Sequence, residues 1–315
     1  MTTYLVTGGA GFIGSHLVDA LLAADHAVVV VDDFSTGHRK NLPQDSYRLE
    51  IVEGSITDRA LMADLVTRTD ACFHLAAVAS VQKSNEALYH THKVNLGAFV
   101  SLMELAAGAS RDGRGDYPVV YASSAAVYGD KGDITIAEDA HKTPLSAYGA
   151  DKLGCELHAS AAGIIHGVKS FGLRFFNVFG PRQDPSSPYS GVISIFVHKA
   201  LAGEHITIFG DGGQTRDFVY VSDVVAALQA AMGKATATAP VLNVCRGEDR
   251  TIAELAQTVL TLVKRSDTPV FEPARPGDIR HSKGCPNRIT AELDWHADTG
   301  LADGLALLMS HEQPS

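Results

Sequence analysis

"TGGAGFIGSH", residues 7–16, decides how this chain folds. It follows the apolar run "TYLV" (3–6) and leads into "FIGSHLVDALLAA" (12–24), where apolar residues recur at helical spacing. Gly8, Gly11 and Gly14 stand three apart, and Gly9 to Gly14 also reads Gly-x-Gly-x-x-Gly. Missing side chains there permit a tight turn, close approach of a pyrophosphate to backbone N–H groups, and close helix–strand packing. The helix then points its positive end at the phosphates. A second strand, "AVVVVDD" (27–33), ends on Asp32, about 20 residues beyond the glycines, where a ribose-binding acid belongs. Asp32 repels a 2′-phosphate and no arginine follows it directly, so NAD is expected rather than NADP.

Working outward, "YRLEIVEG" (47–54), "ACFHLAA" (71–77), "PVVYASS" (118–124) and "VKSFGLRF" (168–175) read as further buried strands. Helical patterns such as "VNLGAFVSLMELAA" (94–107) lie between several of them. Strand, helix, strand in succession gives parallel strands with helical crossovers, hence an α/β fold with a doubly wound, Rossmann-type sheet. The alternation then fails. "FGPRQDPSSPYSGV" (179–192) reads as a loop, "GKATATAP" (233–240) as a surface connection, and "HITIFGDGG" (205–213), "PVLNVC" (240–245) and "TPVFEP" (268–273) as short strands of a smaller lobe. The expected division is an NAD-binding domain over 1–175 and a smaller α/β substrate lobe over 176–315, with the chain crossing back to the first domain.

Composition narrows the partners. With 315 residues, 45% hydrophobic and 20% charged, the chain has the make-up of a globular protein. A net charge of −10 argues against a nucleic-acid surface, which needs clustered Lys and Arg. No apolar run reaches membrane-spanning length and no leader pattern precedes the first strand, so a cytoplasmic protein is expected. Cys72, Cys155, Cys245 and Cys285 are scattered without metal-ligand spacing, which predicts reduced thiols and no metal.

"SAYGADK" (146–152) places Tyr148 and Lys152 four apart, on one face of a helix. The Lys152 ammonium and a positive nicotinamide ring both stabilise a phenolate, which lets Tyr148 take an alcohol proton while the carbon-bound hydride leaves for NAD. "YASSAAVYG" (121–129) ends the preceding strand at the carboxyl edge, where ligands of open sheets bind. Ser124 is the residue there expected to hydrogen-bond the reacting oxygen and relay its proton; Ser123 is the less favoured candidate, with packing as its alternative role.

Together, "TGGAGFIG" (7–14), "HLAA" (74–77), "SSAAVYG" (123–129), Tyr148 with Lys152, "LRFFNVFGPRQ" (173–183), "GDGGQTRDFVYVSDV" (210–224) and "RPGDIR" (275–280) resemble the extended short-chain dehydrogenase/reductases, and among them the NAD-dependent nucleotide-sugar epimerases. The resemblance implies that Gly8, Gly11, Phe12, Ile13, Gly14 and Asp32 contact NAD. It adds Leu75 and Ala76 on the nicotinamide side, Asn95 on the following helix, and Tyr148 and Lys152 themselves. Near the adenine the family often has Gly-Asp-Ile; here the residues are Gly54, Ser55 and Ile56. Ser55 can bond the adenine amino group, but without charge. Related dehydratases carry an Asp-Glu pair after the catalytic serine or threonine, and related decarboxylases usually a glutamate. Ala125 and Ala126 stand there instead, so epimerisation is expected and elimination is not.

For the substrate, the resemblance implies Arg216, Arg275 and Asp278 on the nucleotide diphosphate, Phe209 against the uracil, and Asn177 as a polar contact. Arginine suits diphosphate because its planar fork bonds phosphate oxygens in pairs. Arg280 and His281 receive no role and are expected at the surface. Ser282, the fourth residue past Asp278, occupies a position where a tyrosine restricts the family to plain hexoses. With Gln183 it points to room for a 2-acetamido group. The expected activity is reversible C4 epimerisation of UDP-N-acetylglucosamine and UDP-N-acetylgalactosamine through a 4-keto intermediate. Alternatives are a UDP-glucose/UDP-galactose or UDP-glucuronate 4-epimerase, or an NAD-binding regulator without activity. By the same likeness, helices near 84–109 and 145–166 are expected to pair in a homodimer.

Overall fold

The computed structural model describes residues 1–111, 113, 115–184, 191–274 and 279–312. Its centre is a seven-stranded sheet in the order Leu49–Glu53, Ala27–Asp32, Thr3–Thr7, Ala71–His74, Val119–Ser124, Ser170–Phe175, Val241–Val244. Thr3–Thr7 pairs in parallel with its neighbours on both sides: Tyr4 lies opposite Val28 on one and Ala71 on the other. Strand order reverses there, which creates the crevice where open sheets of this kind bind ligands. Helices cover both faces, so Val28 to Val31 and Leu5 with Val6 are buried as continuous apolar runs rather than alternating ones. One face packs Leu65, Cys72, Phe99, Leu102 and Tyr121 into a common core.

The six strands read from the first part of the chain all join this sheet. "PVLNVC" does not behave as expected. Val241–Val244 forms the outer strand beside Ser170–Phe175, with Leu242, Asn243 and Val244 fully buried. A four-residue apolar run carries no period that says which sheet it joins. The segment "GKATATAP" is likewise tied down: Thr236 bridges Ser170, and a Cβ on helical Gly163 would collide with the Ala237 carbonyl oxygen.

The chain divides into two compact units. One comprises residues 1–127, 142–174 and 225–242; the other 128–141, 175–224 and 243–315. In the second, strand Thr215–Tyr220 pairs in parallel with Asn177–Phe179 and antiparallel with Asp249–Thr251. Val270–Glu272 runs parallel to Thr207–Phe209. Asp217, fully buried, accepts hydrogen bonds from the backbone N–H groups of Arg246, Gly247 and Gly284, and burial pushes its pKa up to about 6. No described helix is long and apolar enough to cross a membrane.

Candidate active site

Thr7, Asp32, His74 and Ser124 are the last residues of four parallel strands of the first unit, so the loops and helix starts after them share one edge of the sheet. The glycine turn comes after the first. Gly8 takes a positive φ of 68°, and a Cβ there would stand 2.8 Å from the Ala76 backbone. A Cβ on Gly14 would collide with the Gly8 carbonyl oxygen, so only glycine lets helix Phe12–Ala23 start this close to the strand. Gly11 is different. Its Cβ would find only Gly8 O, at 3.2 Å, and as N-cap it offers no side chain to the first-turn N–H groups. Those donors are left for an anion approaching the backbone. Phe12 and Ile13 stay partly exposed beside them.

Asp32 sits 7% exposed at the end of its strand. It accepts from Ala10 N–H at 2.9 Å and from Phe34 N–H at 2.9 Å, while burial raises its pKa. It therefore braces the glycine turn. Gly37 is needed beside it, since a Cβ there would lie 2.9 Å from Asp32 Oδ1. Ser55 is turned inward: its hydroxyl meets Thr57 Oγ1 at 2.9 Å and accepts from Thr57 N–H. Ile56 beside it is buried. These residues fit a dinucleotide: free backbone donors at a helix start, an acid one strand away, and no Cβ in the path. Gly14→Ala is expected to weaken NAD binding about tenfold and to cost about 2 kcal/mol by overpacking; cofactor titration and thermal melting measure the two effects.

On the other side of the switch, Thr7 Oγ1 accepts from Leu75 N–H and Ala76 N–H at 3.1 and 3.2 Å. With its lone pairs so used, the hydroxyl donates to His74 Nδ1 at 3.0 Å. Burial and the nearby Lys152 charge push the His74 pKa down to about 3, so the ring is neutral. Asn95 is buried in a π-helical turn, Lys93–Gly97, a distortion frequent at functional sites. Both ends of its amide pair with the Val78 backbone, which fixes the segment carrying Leu75 and Ala76.

The candidate catalytic side chains come from one helix and one strand end. Helix Ala147–His166 starts on Ser146, which caps Gly149 N–H. Ser84 Oγ and Asn85 Oδ1 accept from Tyr148 N–H and Ala147 N–H, holding the first turn from a second helix. A Cβ on Gly149 would lie 2.6 Å from Ala126 O, so the Tyr148-Gly149 dipeptide lets the helix start press against the turn after Ser124. Sequence reasoning missed Gly149; its position directly after Tyr148 was the available signal. Lys152 is buried and donates from Nζ to Ala122 O at 2.7 Å, with Nζ 5.8 Å from the Tyr148 ring centre. Tyr148 and Ser124 are both partly exposed. A hydroxyl, a phenol and an ammonium thus stand at the strand edge that carries the glycine turn. Ser123 does more than pack: it donates to Glu156 Oε1 at 2.5 Å.

In the second unit, Asn177 and Phe209 are partly exposed. Arg216 donates from Nη1 to Thr215 O and Ile279 O, both at 2.8 Å. Gln183 is held by Val178 O and by the Ser194 hydroxyl. Ser282 is partly buried. Arg280 is exposed, as expected, but it is engaged: its guanidinium bonds both oxygens of Asp211, at 2.6 and 3.0 Å. His281 Nδ1 lies 3.4 Å from Thr215 Oγ1. Arg275 and Asp278 lie outside the described residues. Among the described residues no group of three or more His, Cys, Asp or Glu could hold a metal, and all four cysteines are free.

The NAD dependent epimerase/dehydratase family profile matches residues 4–245. A UDP-glucose 4-epimerase of Mycolicibacterium smegmatis is 38% identical over 306 residues, 96% of each chain. Among solved structures, a UDP-glucose 4-epimerase from Thermotoga maritima with UDP-glucose superposes with a TM-score of 0.92 at 34% identity, covering 98% of both chains. A UDP-N-acetylglucosamine 4-epimerase from Methanobrevibacter ruminantium M1, in complex with UDP-N-acetylmuramic acid, gives a TM-score of 0.92 at 33% identity, covering 99% of this chain and 98% of the other.

Proposed function

Because the chain belongs to the NAD-dependent epimerase/dehydratase family and is an NAD-dependent UDP-sugar 4-epimerase, we propose that it interconverts UDP-N-acetylglucosamine and UDP-N-acetylgalactosamine. The reading is carried by Ser282, small and partly buried, four residues past Asp278, at the position where in the resembling epimerases a tyrosine restricts the substrate to plain hexoses. Gln183, fixed by Val178 O and Ser194, supports it as a preset amide. NAD, when bound, supplies the acceptor and donor of the C4 hydride. Tyr148 removes the O4 proton and later returns it; Lys152, anchored on Ala122 O, holds positive charge behind the phenol; Ser124 steadies the reacting oxygen. A 4-keto sugar results, and its rotation about the link to the diphosphate exposes the opposite face. Arg216 and Arg275 grip the diphosphate while the sugar turns, with Asp278, Phe209 and Asn177 on the nucleoside.

Incubation with UDP-N-acetylglucosamine, followed by proton NMR of the sugar nucleotides, tests the proposal. Appearance of the C4 epimer supports it; no epimer from protein with full NAD occupancy overturns it. The 38% identity to a UDP-glucose 4-epimerase favours UDP-glucose and UDP-galactose as additional substrates.

The same reading includes a homodimer. Leu157, Ile164 and Ile165 lie on helix Ala147–His166 and are 64%, 81% and 69% exposed; Leu88 and Tyr89, on helix Leu88–His92, are 60% and 82% exposed. Leu157 and Ile164 are seven apart and share a helix face, an apolar stripe of the kind that seeks a partner. Leu157→Glu with Ile164→Glu is expected to halve the mass measured by sedimentation and leave the circular dichroism unchanged.

A further inference from the structure

Glu156 and Arg174 are 7% and 4% exposed, and the proton and hydride transfers use neither. Arg174 donates from Nε and Nη2 to the two carboxylate oxygens of Glu156, at 2.8 and 2.7 Å. Desolvating two charges offsets most of what their attraction returns, and apolar replacements of such pairs often leave stability unchanged or raised. Stability alone is therefore a poor account of a buried pair beside the catalytic helix. Its placement gives a better one. Glu156 stands four residues after Lys152, one turn further along the same face of helix Ala147–His166. Lys152 Nζ holds Ala122 O at 2.7 Å, and Glu156 Oε1 holds the Ser123 hydroxyl at 2.5 Å. Two successive residues of the strand end are thus gripped by two successive turns of the helix, and the next strand residue is Ser124. Arg174, on strand Ser170–Phe175 next in the sheet, fixes the orientation of the Glu156 carboxylate.

We infer that Glu156, oriented by Arg174 and bonded to Ser123, is a positioning residue that sets the register between Tyr148 and Lys152 on the helix and Ser124 on the strand. The inference rests on the proton-transfer reading of those three residues. Loss of that register falls on kcat, because a phenol misplaced by a fraction of an ångström still lets the sugar nucleotide bind.

Ser123→Ala removes one hydroxyl and leaves the ion pair in place. The expected result is a fall in kcat of about tenfold, with KM, NAD content and melting temperature unchanged. A wild-type kcat overturns the inference. A second pair of variants separates positioning from packing. Glu156→Gln lowers the melting temperature by leaving Arg174 uncompensated; adding Arg174→Met to Glu156→Leu restores it. Under the inference, the restored double variant still turns over at least about tenfold slowly; recovery of kcat together with melting temperature overturns it. If the double variant does not fold, Ser123→Ala decides alone. Should the wild-type protein epimerise no UDP-hexose, the reading of the reaction fails, and the crystal structure of Ser123→Ala with NAD still decides positioning. Lys152 Nζ displaced from Ala122 O supports it, and an unmoved contact overturns it.

Discussion

Tyr148→Phe is expected to slow epimerisation about 1,000-fold while the protein keeps its full complement of NAD. The substitution deletes only the phenolic oxygen. Lys152 remains on Ala122 O, the glycine turn and Asp32 are untouched, and a partly exposed ring gives up little packing. What is lost is the group that, in the proposed reaction, takes the O4 proton as the C4 hydride departs. Ser124 is a poor substitute, because an aliphatic hydroxyl is a far weaker acid than a phenol and its oxygen already accepts from Ala126 N–H at 3.2 Å. The decisive measurement pairs turnover with NAD released on denaturation. Turnover within tenfold of wild type would move the base role away from Tyr148, whereas lost NAD would make the variant uninformative about proton transfer and show that the phenol anchors the cofactor.

How much of this was readable from the chain depended on how local each feature is. The glycine turn, Asp32 and the Tyr148/Lys152 pair are set by spacing within one or two elements, and they stand at one sheet edge. The six early strands were legible because burial on both faces leaves uninterrupted β-branched runs. Val241–Val244 was not, since nothing in four residues encodes a partner about 70 positions earlier. The Glu156 network was hidden for the same reason: Ser123 lies 33 residues before Glu156 and Arg174 18 after it. One hint existed, the four-residue step from Lys152 to Glu156. Gly149 depends on how closely the helix start approaches the Ala126 carbonyl, 23 residues earlier, which periodicity does not report.

The turn after Ser124 also bears on which reaction the scaffold runs. Ala125–Val127 forms a short 3-10 turn, and Ala126 O lies under the start of the catalytic helix, where Gly149 makes room for it. Neither Ala125 nor Ala126 can donate or accept a proton through its side chain. In the resembling dehydratases an Asp-Glu pair at that place serves the expulsion of water; oxidation and re-reduction at C4 call for proton transfer by the hydroxyl, phenol and ammonium alone. The same scaffold thus supports epimerisation without further groups.

Ser282→Tyr is expected to lower kcat/KM on UDP-N-acetylglucosamine about 100-fold and to change that on UDP-glucose by no more than about threefold. The backbone around Ser282 has little freedom to absorb a larger side chain. On one side Arg280 O accepts from Thr215 N–H at 2.9 Å and Ile279 O from Arg216; on the other Lys283 pairs with Asp249 at 3.2 Å, and Gly284 N–H bonds the buried Asp217 carboxylate. Gly284 itself cannot move inward, since even a Cβ there would stand 2.5 Å from Cys245 Sγ. A tyrosine at 282 must therefore project into the space its own side chain can reach, and under the proposed function that is the volume a 2-acetamido group takes and a 2-hydroxyl does not. Steady-state kinetics on the two substrates read the difference directly. Equal losses on both would mean that residue 282 supports the loop and does not gate the sugar, leaving Gln183 alone to support the acetamido reading.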